Sequence, residues 1–137
     1  MKKWMKRLTA AVLGAVLVMG SLGSLAAYGA TPKADDDMRA VWISTVYSAD
    51  YPSTQNNAQK AEFIQKLDQA QALGLNTVVV QIRPKGDAFY ESDLNPWSAV
   101  LTGTQGKDPG YDPMEFMIEE THKRGMEFHA WMNPYRI

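Results

Sequence analysis

Cysteine is absent from the 137 residues and histidine occurs only twice. The first absence excludes disulfides, thiolate metal sites and a lipid-anchored lipoprotein. His122 and His129 stand on different elements and form no His-x-x-x-His pair, so zinc catalysis has no support. A Gly-x-Ser-x-Gly elbow and a phosphate loop are also missing, which removes nucleophilic serine chemistry and nucleotide binding. Basic charge is not in excess either, with a formal net charge of −1. What is present is apolar content, at 45% of residues, enough to exclude a fully disordered chain.

That average joins two unlike regions. Residues 1–30 begin with Lys2, Lys3, Lys6 and Arg7, continue with an apolar stretch from Leu8 to Ala27, and end in small residues. This order predicts a secretory signal peptide, cut after Ala26, Gly29 or Ala30. The apolar stretch is about long enough for a retained membrane anchor, but Gly14, Gly20, Gly23 and Ser24 weaken that alternative. The expected product is secreted or held in the cell envelope, with no stable membrane insertion after cleavage. Losing the four basic residues leaves 10 basic against 15 acidic side chains, a net charge of −5. A nucleic-acid partner calls for the opposite bias. Residues 31–38, with Asp35, Asp36 and Asp37 in a row, read as a solvated polar linker rather than a cation site.

Residues 39–137 alternate strand and helix. Arg39 to Thr45 reads as a buried strand, and Asp50 to Asn57 as a polar loop. Ala58 to Leu73 reads as a helix with an apolar stripe of Ala61, Ile64, Leu67, Ala70 and Leu73, broadened by Phe63. Gly74 marks its stop. Asn76 to Arg83 is a β-branched strand, and Met126 to Met132 a third. Between them Asp112 is a capping residue, Pro113 suits the first helical position, and Glu115 completes a capping-box pattern. Gly125 ends that helix. The segment from Pro84 to Tyr111 is long and irregular, and a compact domain rarely carries such a loop without a use for it.

Near-continuous apolar strands separated by amphipathic helices predict an α/β class and parallel pairing. The first strand–helix connection lacks a glycine fingerprint, which disfavours a dinucleotide-binding sheet and leaves the opening of an eight-stranded barrel. The chain stops directly after a strand, so it is expected to be the opening part of a larger domain.

Ligands of parallel α/β domains meet the carboxyl ends of the strands. Period-two alternation puts Val78, Val80 and Ile82 on one face, toward the helices, and Val79, Gln81 and Arg83 on the other. In the third strand His129, Trp131 and Asn133 share the mixed face. Burying Gln81, Arg83, His129 and Asn133 costs on the order of 1–3 kcal/mol per unsatisfied neutral group, so a polar network or site is expected there. His129, mid-strand, fits the supporting network. Arg83 and Asn133, at strand ends, fit a site. Tyr47, Tyr51, Phe89, Tyr90, Trp97, Tyr111 and Tyr135 crowd the adjoining loops; about half should be structural, with Trp97 and Tyr135 the best placed for a sugar ring. The carboxylates of Asp50, Asp87, Glu91, Asp93 and Asp108 all lie on loops and suit organising or orienting roles better than acid catalysis.

Several blocks in order resemble one family: Arg39-Ala-Val-Trp-Ile-Ser-Thr45, Gln81-Ile-Arg-Pro-Lys-Gly-Asp87, Asn95-Pro-Trp-Ser98, Pro109-Gly-Tyr-Asp-Pro113 and His129-Ala-Trp-Met-Asn-Pro-Tyr-Arg136. From Met38 onward the chain is similar to the start of glycosyl-hydrolase-like family 10, also called domain of unknown function 187. The resemblance implies the N-terminal portion, about three βα units, of a (β/α)8 TIM barrel. It also implies a parent glycoside hydrolase acting on cell-envelope or extracellular polysaccharide, with stripped peptidoglycan glycan strands the leading substrate. Catalytic carboxylates are expected beyond Ile137, so this stretch by itself should be inactive. The substrate-binding positions carried over are Arg83, Lys85, Asp87, Asn133, Tyr135 and Arg136, joined by Trp97 from the aromatic argument. No cofactor or metal is implied. The competing expectation is a non-catalytic glycan-binding barrel, separated from the first by the presence of paired carboxylates.

Overall fold

The computed structural model describes residues 37–55 and 58–136. The proposed signal peptide and most of the linker lie outside the described residues. From Met38 onward the chain forms one unit. Its elements are β1 (Ala40–Ile43), a short 3-10 turn (Val46–Ser48), α1 (Ala58–Ala72), β2 (Thr77–Arg83), α2 (Ala99–Thr102), α3 (Pro113–Lys123) and β3 (Glu127–Met132). The three strands are parallel in the order β1-β2-β3, with Val41 and Phe128 on either side of Val78. The β2–β3 register slips between Gln81 and Arg83, where the strand leaves the ladder.

β2 is Thr-Val-Val-Val-Gln-Ile-Arg, and its stiff branched side chains fit a pleated sheet covered on one face. Val78, Val80 and Ile82 are buried, as the alternation predicts, with Ile43, Phe63, Leu67, Ala70, Met117 and Met126. One cluster therefore takes residues from α1 and α3 together, placing both helices on the same face of the sheet. Completely burying a ring such as Phe63 stabilises the fold by about 2–3 kcal/mol. The opposite face is partly covered: Thr77 and Gln81 are buried on it while Trp42 is exposed, and Trp42 and Trp131 meet there edge to face at 5.2 Å.

The buried line of α1 differs from the stripe expected. It runs Gln59, Phe63, Leu67 and Ala70, while Ala61 and Leu73 are exposed. Phe63 turns the helix by packing its ring on Tyr51 and Phe116, at 5.5 and 6.5 Å between centroids. Gln59 is tolerated in that line because its amide is satisfied. Nε2 donates to the carbonyls of Thr54 and Leu101 at 2.7 and 2.6 Å, and Oε1 accepts from the Tyr111 hydroxyl at 3.0 Å.

Both long helices end as their glycines predict. Gly74 (φ 74°) and Gly125 (φ 66°) take left-handed backbone, and Leu75 and Met126 donate back to Ala70 and Thr121. Asp112 caps α3 by accepting from the Glu115 amide at 3.0 Å. The long connection after β2 is ordered by its own small core. Phe89 and Leu101 are buried, Ala88 bridges Trp97, and the Phe89 amide and carbonyl join Ile82 and Met114 at 2.9 Å each.

Candidate functional site

The carboxyl ends of the three strands meet on the Trp42–Trp131 side. Gln81 is fully buried there, and its Oε1 works as a single acceptor for the turn after β1. It receives the Ser44 hydroxyl at 3.1 Å and the Thr45 and Val46 amides at 3.0 Å each. Thr45 closes the contact by donating its hydroxyl to the Gln81 carbonyl at 2.7 Å. Asp50 braces the same turn from the other side, accepting from the Ser44 amide at 2.8 Å.

This bracing holds Tyr47 and Ser48 in left-handed conformation, at φ 53° and 55°. A bulky aromatic residue costs roughly 1–3 kcal/mol in that region, and such strain concentrates at functional sites. The consequence is that the Tyr47 ring projects into solvent, 73% exposed. Two cations from the neighbouring strand ends approach it. Lys85 Nζ lies 4.8 Å and Arg136 Cζ 6.0 Å from the ring centroid. Tyr47 thus draws the strand-end loops together by cation–π attraction.

Arg83 and Asn133 clasp β2 to β3. Arg83 donates Nη1 to the Asn133 carbonyl at 2.8 Å and Nε to Asn95 Oδ1 at 3.2 Å. Asn133 returns its amide to the Arg83 carbonyl at 3.0 Å and its Nδ2 to the Pro84 carbonyl at 3.1 Å, while Oδ1 accepts from Trp131 Nε1 at 2.9 Å. These bonds replace the ladder where the register slips, so both side chains shape the rim.

The remaining expected positions are distributed less tightly. Asp87 is buried and fixes its loop, accepting from the Ser98 hydroxyl at 2.6 Å and the Lys85 amide at 3.2 Å. Tyr135 is almost wholly exposed. Trp97 lies apart from the clasp, in a cleft of about 430 Å³ that it lines with Glu91, Asp108, Tyr111, Asp112 and Glu115. His129 does not join the polar network; it is exposed on the Trp42–Trp131 face and meets Glu127 Oε2 at 3.1 Å. The loop carboxylates behave as organisers where their bonds are seen: Asp50 and Asp87 as above, and Asp108 by accepting from the Gly110 amide at 2.6 Å. Tyr51 and Phe89 are structural, each fully buried. Burial also pushes the Tyr51 hydroxyl well above the usual tyrosine range.

Among the seven loop aromatics, no local sequence signal distinguishes Tyr47. The signal that sets it apart is its backbone, which the surrounding residues fix and its own residue type does not favour. Among the described residues no group of three or more His, Cys, Asp or Glu is arranged to hold a metal. The arrangement is a rim of aromatic and cationic groups at the ends of parallel strands, suited to binding a polar, partly anionic ligand.

The chain is 53% identical over 124 residues to the glycosyl hydrolase YngK of Bacillus subtilis (strain 168), covering 88% of this chain and 24% of that protein. It is 43% identical over 117 residues to the glycosyl hydrolase DigH of Escherichia coli (strain K12), covering 78% of this chain and 27% of that protein. The chain thus spans about a quarter of the length of these relatives. Residues 37–137, every described element included, match the glycosyl hydrolase-like 10 family, and the chain belongs to that family.

Proposed function

We propose that residues 39–137 form the first three strands of a (β/α)8 barrel in an exported glycoside hydrolase of the cell envelope. Its substrate is polysaccharide, with stripped peptidoglycan glycan strands foremost. The observation that carries this reading is the convergence of Tyr47, Arg83, Lys85, Asn133 and Arg136 at the carboxyl ends of three parallel strands, where barrel enzymes bind substrate. The sequential strand order and both helices on one face support it. In a barrel the Trp42–Trp131 face is the interior, and further strands cover it. The mouth carboxylates Asp50 and Asp87 already serve the loops, so acid–base work falls to carboxylates outside the described residues.

That division of labour gives a specific second reading, a barrel that binds glycan without cleaving it. The test is release of new reducing ends from stripped peptidoglycan strands by the full-length protein, beside Arg83→Ala and Asn133→Ala variants checked for folding by circular dichroism. Turnover in the wild type, reduced at least tenfold in both folded variants, supports the hydrolase. Binding without reducing ends supports the second reading. Full turnover in both variants removes the strand-end cluster from the site.

A further inference from the structure

We infer that Tyr47, Lys85 and Arg136 form an anion-selective subsite, which recognises a negatively charged substituent, carboxylate or phosphate, on a sugar of the bound glycan. The inference rests on the glycan reading above and adds the chemical feature that selects among glycans.

Three observations carry it. First, the two cations come from different strand ends, yet both approach the same ring, at 4.8 and 6.0 Å from its centroid. Second, among the described residues neither cation makes an ion pair; the ion pairs seen there lie on the helices and at the start of β3. Two like charges held against one ring repel each other, and an aromatic quadrupole offsets only part of that repulsion at an exposed position. An anion held beside either cation lowers that repulsion. Third, the backbone spends strain at Tyr47 and Ser48 to hold the ring outward, and the turn is pinned by the buried Gln81 oxygen and by Asp50. A merely structural ring turns inward, as Tyr51 does four residues later.

The chemistry of the pair fits a sugar substituent better than an isolated ion. The Arg136 fork can donate to two oxygens of one anion, Lys85 supplies a mobile point charge, and the exposed Tyr47 ring offers an apolar surface and a hydroxyl to the sugar beside it. The net charge of residues 31–137 is negative, so a cationic rim is a local reversal of sign.

The test uses the full-length protein and isothermal titration calorimetry with four tetrasaccharides. These are neutral chitotetraose, an alternating N-acetylglucosamine–N-acetylmuramic acid chain with free carboxylates, the same chain with its carboxylates reduced to alcohols, and chitotetraose phosphorylated at C6. The carboxylate chain or the phosphorylated chain should bind roughly tenfold more tightly than its neutral counterpart. Whichever does names the source of the anion. That preference should weaken at high salt, disappear in Lys85→Met and Arg136→Met, and survive in Lys85→Arg. Equal affinity for charged and neutral chains, or a preference that persists in both methionine variants, overturns the subsite while leaving the glycan reading intact. Failure of all four chains to bind overturns both.

Discussion

Replacing Gln81 by leucine tests how the strand-end turn is built. The side chain is fully buried, and its Oε1 is the shared acceptor for the Thr45 and Val46 amides. Leucine fills nearly the same space but accepts nothing. The Thr45 amide is then left buried without its acceptor and the Val46 amide partly so, at roughly 1–3 kcal/mol for each buried donor. Added apolar burial offsets about 1 kcal/mol, so a net loss of about 1–5 kcal/mol is expected, a large share of a typical domain's stability. Urea denaturation should show a lower midpoint with an unchanged slope. Hydrogen exchange should accelerate at Thr45 and Val46 more than in β2. The Gln81→Glu variant keeps an accepting oxygen but puts an ionisable carboxyl into a fully buried site, so it should also fall below wild type. A Gln81→Leu protein within about 0.5 kcal/mol of wild type, with unchanged exchange at both amides, would refute the account of the turn and of what holds Tyr47 outward.

Two further outcomes are expected. Asp112→Ala removes the acceptors for the Glu115 and Glu91 amides, and should cost about 1–2 kcal/mol in thermal unfolding, with Asp112→Asn, which keeps one accepting oxygen, recovering the helix cap alone. Hydrogen bonds from Lys123 and Arg124 hold the Glu120 carboxyl below the usual glutamate range. A depressed folded value means that its stabilisation is present above the ordinary glutamate value of about 4.3 and is lost as pH falls through the folded value. Glu120→Gln should therefore lower the melting temperature slightly at neutral pH and leave it closer to wild type in acid; an equal difference at both pH values contradicts the assignment.

The order of elements was legible in the residues because each signal acts over a few positions. β-branched runs mark the strands, Asp112 and Pro113 open α3, and Gly74 and Gly125 supply the left-handed residue that closes each helix. Alternation along β2 likewise assigned Val78, Val80 and Ile82 to the helix face, since a strand presents its side chains to two sides whatever its neighbours are. The periodicity of α1 is a weaker guide: its small and aliphatic residues mark a stripe offset from the buried line, which follows the Phe63 ring to its partners Tyr51 and Phe116.

The site depended on tertiary structure to a much greater degree. Gln59 and Gln81 look like ordinary polar residues, and become hubs only because carbonyls and amides from distant segments arrive beside them. The small core that orders the loop after β2, and the short helix α2 within it, set Trp97 in a separate cleft from Arg83 and Asn133. Tyr47, Lys85 and Arg136 are far apart along the chain, and no local pattern relates them. By itself the sequence determined the parallel α/β order and the apolar face of β2. Only strand pairing, with its register slip after Gln81 and the strained turn after β1, decided which side chains share the rim. Propensity and periodicity are properties of neighbours in the chain, whereas a site is a property of neighbours in space.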